Sequence, residues 1–224
     1  MTLPALAAAA AERAQHIRQR ADRPSQRRCA EPAAARAAVR AALSGVQVRE
    51  SGDAGTLEFV GQATVYEQAY EMWDMFGPYT EIVTEGAGAD SLARADLDVP
   101  LVLGHDQLRR MARTTTGTLF LTESATGLDV RAPALDPADY DVAYIAPKLR
   151  AGLVDEMSFA FRIESGQWSP DYTEYRINRY DIHRGDVAIV GYGANPYTGA
   201  SMRQPAAAPA NSRARALLEI ALAR

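Results

Sequence analysis

This sequence predicts a mainly β domain with helices at its periphery, on three observations. Short apolar or alternating runs recur from residue 56 to residue 192, with turn signals between them. Inside that stretch only one segment, 139–150, reads as a helix. Hydrophobic residues are 47% and charged residues 23% of the 224, the balance of a globular chain rather than a fibrous or disordered one.

The chain opens with a basic, alanine- and arginine-rich helical leader, residues 1–50. Residues 3–22 and 33–43 have helix-forming composition. Leu6, Ala10, Ala14 and Ile17 share one face of the first helix, and Asp22-Arg23-Pro24-Ser25 breaks it. Glu31-Pro32 restarts a helix with proline in its first turn. Neither helix carries enough large apolar side chains to fold alone.

Residues 51–200 form the β domain. Strands are expected at 56–66, at 99–103 (ending at His105), at 117–123 and at 128–132, the last two joined by a turn at Thr126-Gly127. Three more follow at 157–164, 174–182 and 185–192. Six or seven strands at such intervals suggest a closed or nearly closed antiparallel β-barrel flanked by helices. Residues 66–79 are rich in aromatics, and the near-helical spacing of Tyr66, Tyr70 and Trp73 favours core packing over a substrate lip. Residues 201–224 close the chain. There 204–212 reads as a flexible linker, and Leu217, Leu218, Ile220 and Leu222 make a short amphipathic helix suited to docking on its own domain or a sister chain.

Charge is informative when divided by region. Residues 1–50 carry nine arginines against four acids, a net of +5, and residues 201–224 carry four arginines against Glu219, a net of +3. The overall formal charge is -4, so the 150 residues between sum to -12. Basic ends of this kind meet nucleic acid or an acidic protein surface. They lack interleaved aromatics to stack on bases, which favours a protein partner over nucleic acid. Of the 24 basic residues only Lys148 is a lysine, a bias of composition rather than of chemistry.

Several function classes are disfavoured. The apolar run 3–11 is far shorter than the roughly 18 residues a membrane span needs, and it lacks a basic leader, so neither a membrane anchor nor a secretory signal is expected. A single cysteine, Cys29, allows no internal disulfide, and with three scattered histidines it allows no cysteine-rich zinc site. Walker, GxGxxG and GxSxG motifs are absent, so no nucleotide, metal or other cofactor is expected.

Two residues stand out for chemistry. His105 lies where an apolar strand exits at Gly104-His105-Asp106, whereas His16 sits in the leader and His183 is flanked by Asp181 and Arg184. Ser158 lies in Glu156-Met157-Ser158-Phe159-Ala160-Phe161. On a strand, Met157, Phe159 and Phe161 face one way and Ser158 and Ala160 the other. The serine face then carries only small side chains, leaving open space above Ser158. A serine on a plain solvent face and a structural strand-end histidine are the alternative readings.

Taken together, the order of motifs resembles the bacteriophage prohead (capsid maturation) serine protease family. The residues that carry the resemblance are Gly61-Gln62-Ala63, residues 81–87 with Ser91-Leu92, Val102-Leu103-Gly104-His105-Asp106, Met157-Ser158-Phe159-Ala160-Phe161, residues 186–190 and Ala194-Asn195-Pro196. It covers roughly residues 55–200. It implies a fold like that of herpesvirus assembly proteases, a β-barrel ringed by helices, and a serine–histidine–acid site. By that match His105 is the general base, Ser158 the nucleophile and Asp186 the acid that orients the imidazole.

Gly104, Ala160, Asp186 and Ala188 stand where the family commonly has asparagine, glycine, glutamate and serine. The shorter Asp186 leaves Asp181 and His183 open as third members. Arg109, Arg110 and Arg113 follow the histidine; one of them at an oxyanion site and all three as ordinary exposed arginines are both open.

The resemblance implies a serine endopeptidase inside an immature capsid in the host cytoplasm, without cofactor. It would cleave the scaffold segment of the major capsid protein, and its own ends, and act as a homo-oligomer. The rival readings are an inactive protease-fold scaffolding or capsid-assembly module and an unrelated β-barrel interaction domain.

Overall fold

The computed structural model describes residues 1–24, 49–50, 55–193 and 199–201. The second leader helix (33–43), the linker (204–212) and the C-terminal amphipathic helix lie outside the described residues. The strands divide into two sheets. One has the order β1 (Arg49–Glu50), β2 (Leu57–Val65), β8 (Gly127–Leu135), β7 (Phe120–Glu123), with β11 (Gly199–Ser201) also on β2. The other has the order β3 (Tyr70–Asp74), β4 (Gly77–Val83), β10 (Glu174–Val190), β5 (Pro100–Leu103), β6 (Arg110–Arg113), with β9 (Glu156–Trp168) also on β10.

The domain is thus mainly β with few helices, as the strand signals indicate. The closed antiparallel barrel is not what the pairing gives. No sheet among the described residues closes on itself, and β10 runs parallel to β4 along its first half and to β5 along its second. Alternation of side chains reports that a segment is a strand but carries no information on the direction of its partner.

Strand β10 also joins what the sequence divides at residues 182–185. The division marks a bulge: the register with β9 shifts between Asp181 and Asp186, and Arg184 takes a left-handed φ of 60°. Gly185 permits it, because a Cβ there would collide with the backbone carbonyl of Ala160. Beyond the bulge Asp186 lies opposite Ala160 and Ala188 opposite Ser158, so the bulge sets which β10 residues face the serine.

The two sheets share one core. Phe59, Leu128 and Val130 come from the first sheet and Leu101, Met157, Phe159, Ile177 and Ile189 from the second, all with little or no exposure. The helix α3 (Tyr140–Arg150) adds Val142, Ile145 and Leu149. Its N-cap is Asp139, whose side chain accepts from the backbone N–H of Asp141 and Val142. The aromatic segment at 66–79 places Tyr66 and Tyr70 in the core as expected, with Tyr79 beside them, but as a hairpin rather than a helix, and Trp73 is only half-buried. Asp74 closes the hairpin by accepting from the N–H of Phe76 and Gly77.

The first helix, α1 (Leu3–His16), is fixed to this frame by a residue outside the apolar stripe. Arg13 is fully buried, donates to both carboxylate oxygens of Asp74 at 2.7 and 2.9 Å, and reaches the carbonyls of Gly77 and Pro78. Its guanidinium also lies 5.1 Å from the ring centres of Tyr79 and Trp168. No helix among the described residues is long and apolar enough to cross a membrane.

Candidate active site

The strand faces fall as the alternation in β9 implies. Met157 and Phe159 are buried in the core, while Ser158 and Ala160 are half-buried on the opposite face. Ser158 pairs with Ala188, which pairs in turn with Val102 on β5, so one row crosses three strands. Ala188, Val102 and Val190 form a small apolar cluster separate from the main core. Asp186 lies two residues from Ala188 and therefore on the same face as Ser158. Diagonal neighbours of this kind are about 7–8 Å apart.

His105 is brought to this face by the turn that ends β5. Gly104 and His105 take consecutive left-handed φ values of 60° and 62°. Glycine accepts that conformation freely, and asparagine is the side chain that tolerates it best, which accounts for the two residues found at position 104 in the resemblance. A histidine there is strained by roughly 1–3 kcal/mol, a feature that concentrates at functional sites. The turn is held by Gly104 N–H donating to Ile189 O at 2.9 Å and Asp106 N–H donating to Leu103 O at 3.0 Å.

The result is a His–Asp pair. His105 Nδ1 lies 2.7 Å from Asp186 Oδ1, and Gln107 Nε2 donates to Asp186 Oδ2 at 2.6 Å. The Asp186 side chain is 3% exposed and the His105 side chain 38%. An ionised carboxylate can only accept, so Nδ1 must carry the proton and the neutral ring keeps its lone pair on Nε2. That nitrogen is the one a nucleophile needs. No hydrogen bond joins Ser158 Oγ to His105 among the described residues, and such contacts often tighten only when substrate is bound.

The other candidates fall elsewhere. Asp181 accepts from Ser91 Oγ at 2.8 Å, from His183 N–H at 2.9 Å and from the Arg162 guanidinium. Burial opposes its ionisation, but these donors outweigh that cost and hold its carboxyl down at about 2. His183 Nδ1 accepts from the Asp98 N–H at 3.2 Å. Neither Asp181 nor His183 is brought to His105. His16, expected in solvent, is exposed and stacks on Phe76.

The three arginines after the histidine all have partners within the chain. Arg109 pairs with Asp141, Arg113 with Asp98, and Arg110 donates to the carbonyl and amide oxygens of Gln107. Gln107 is the site residue that the sequence does not reveal: a polar residue two positions from a histidine has no signature until the turn folds it back. No three His, Cys, Asp or Glu residues among the described ones are placed to hold a metal ion.

Among known families, the family model described as caudovirus prohead serine protease matches residues 44–212. No curated protein and no solved structure matches the chain. The match spans most of the sequence, and the chain belongs to that family of serine peptidases of phage capsid maturation.

Proposed function

We propose that this member of the caudovirus prohead serine proteases is an active endopeptidase with Ser158 as nucleophile, His105 as general base and Asp186 as the acid behind it. The observation that carries this reading is the buried carboxylate of Asp186 against Nδ1 of a half-exposed imidazole, on the sheet face that also bears Ser158. A serine hydroxyl is a poor nucleophile until an adjacent base, here a neutral imidazole, takes its proton. His105 Nε2 does so, and Asp186 holds the ring in the Nδ1–H tautomer and stabilises the imidazolium that forms. The proton then passes to the leaving amine. A water activated by the same imidazole hydrolyses the acyl-enzyme and restores Ser158.

The substrate is the scaffold segment of the major capsid protein, together with the ends of this chain itself. The enzyme works inside the immature capsid as a homo-oligomer and without a cofactor, where confinement raises the effective concentration of substrate. The basic ends, net +5 and +3 by sequence, would recruit it to an acidic scaffold or shell surface.

The test is the intact mass of the purified chain and of a co-expressed capsid protein, wild type beside Ser158→Ala. Defined fragments that appear with the wild type and vanish with the variant are the expected result. Full-length chains in both, with folding and assembly intact, would end the peptidase reading and leave an inactive capsid-assembly module in its place.

A further inference from the structure

The third side chain at the His–Asp pair is Gln107, and both ends of its amide are held. Nε2 donates to Asp186 Oδ2 at 2.6 Å, and Oε1 accepts from Arg110 Nη2 at 3.2 Å. Arg110 Nε also donates to the Gln107 carbonyl at 2.6 Å. This fixes the amide orientation without ambiguity. A guanidinium can only donate, so Oε1 must face Arg110; an ionised carboxylate can only accept, so Nε2 must face Asp186. Asp186 then has one oxygen committed to Gln107 and the other to His105.

We infer that Gln107 is a positioning residue, a clamp that fixes the Asp186 carboxylate so that Oδ1 meets His105 Nδ1. The inference rests on the peptidase reading above for its catalytic consequence, though not for the clamp itself. Asp186 is a short side chain with two equivalent oxygens and one rotatable torsion at its carboxyl. Without a partner on Oδ2, the carboxylate can turn, and the imidazole loses the bond that sets its tautomer. Arg110 extends the clamp to β6 and places a positive charge on the far side of the amide, which polarises the N–H toward the carboxylate. Among the described residues, the charged sequence neighbours of His105 are already engaged. Asp106 caps the Leu108 N–H at 2.9 Å, and Arg109 is paired with Asp141.

The experiment uses the full chain with 15N-labelled histidine, in the Ser158→Ala background to prevent self-cleavage, alongside kinetics of the Ser158 enzyme on a capsid-derived peptide. The chain has three histidines, so the His105 signal is assigned by its loss in His105→Gln. Gln107→Met removes both ends of the clamp, and Gln107→Glu keeps an acceptor for Arg110 while setting a second carboxylate against Asp186. Far-UV circular dichroism checks that each variant folds.

In Gln107→Met the downfield Nδ1–H resonance of His105 is expected to broaden or vanish, and kcat/KM to fall roughly tenfold with KM nearly unchanged. In Gln107→Glu the added negative charge favours the imidazolium, so the His105 titration and the acid limb of kcat/KM move up together by about one pH unit. Wild-type His105 signals and pH profiles in both variants would overturn the clamp. If the variants move the His105 titration while the wild type shows no Ser158-dependent cleavage, the clamp stands and the peptidase reading falls instead.

Discussion

Two buried aspartates five residues apart on β10 behave in opposite ways, and the contrast separates a structural carboxylate from one fit for chemistry. Asp181 is saturated: a hydroxyl, a backbone N–H and a guanidinium fill its oxygens, and it links Ser91 in the short helix α2 (Ala89–Leu92) to β9 and β10. Its charge is neutralised by a fixed cation that cannot release a proton. Asp186 has no arginine partner among the described residues. Its partners are an amide and an imidazole, and the imidazole is the only one of the two that can change its charge. The bulge at 182–185 separates the two environments and places the aspartates at different corners of one strand. Burial and proximity to a histidine are therefore poor discriminators, since Asp181 has both. The discriminating feature is whether the bonded partner titrates and keeps a nitrogen free for a nucleophile.

The strongest way to break this comparison is to neutralise Asp186. Asp186→Asn keeps the shape but offers an N–H to Nδ1 and so favours the wrong tautomer. If the comparison holds, kcat/KM falls by about 10⁴, with the thermal midpoint little changed. A loss confined to stability would make Asp186 a second Asp181.

A smaller effect, on stability rather than rate, is expected from another carboxylate with a buried side chain, Asp74. It belongs with Asp181, since its partner is the fully buried Arg13 of α1. Arg13→Ala leaves the Asp74 carboxylate, 2% exposed, without its counter-charge and held only by the Phe76 and Gly77 N–H, and should destabilise the fold by about 3–5 kcal/mol, read from urea denaturation. A loss under 1 kcal/mol would mean that α1 is a dispensable appendage.

One half of the site is legible in the sequence and the other half is concealed. Met157 and Phe159 alternate with Ser158 and Ala160, and apolar alternation is a direct consequence of strand geometry, so the residues by themselves give the serine its own face. The strand 99–103 and its exit at His105 are legible for a similar reason, since an apolar run must end somewhere near Gly104. The partnership of His105 with Asp186 follows only from the family resemblance, because a bond across 81 positions has no local signature. Gln107 and Arg13 are illegible on other grounds. Gln107 acts only after two left-handed residues fold the turn back, and Arg13 is a charged residue whose burial depends on an aspartate 61 positions away. The barrel expectation is not confirmed, since no sheet among the described residues closes, and alternation cannot settle this because parallel and antiparallel neighbours impose the same pattern on β10.

The smallest effect sharpens the comparison through pH. The Asp181 carboxyl titrates at about 2 in the folded chain, below the ordinary value of about 4 for an unfolded one. A depressed folded value means that the unfolded chain binds the proton first on acidification. The stabilisation is therefore complete above about pH 4 and is lost as pH falls toward 2. Asp181→Ala also leaves Ser91 Oγ and the His183 N–H without their acceptor, at a cost of about 1–3 kcal/mol at neutral pH. Measured by urea midpoint from pH 6 down to pH 2, the wild type should lose stability faster than Asp181→Ala, so that the two curves converge at the acid end. Cleavage by the variant, assayed well below its melting temperature, should stay within a few-fold of wild type. Parallel curves would show that neither Arg162, exposed to solvent at 65%, nor the neutral donors hold the carboxylate ionised below its ordinary range. The bonds to Ser91 and His183 would then carry the corner, and the contrast with Asp186 would rest on hydrogen-bond saturation rather than on the fixed cation.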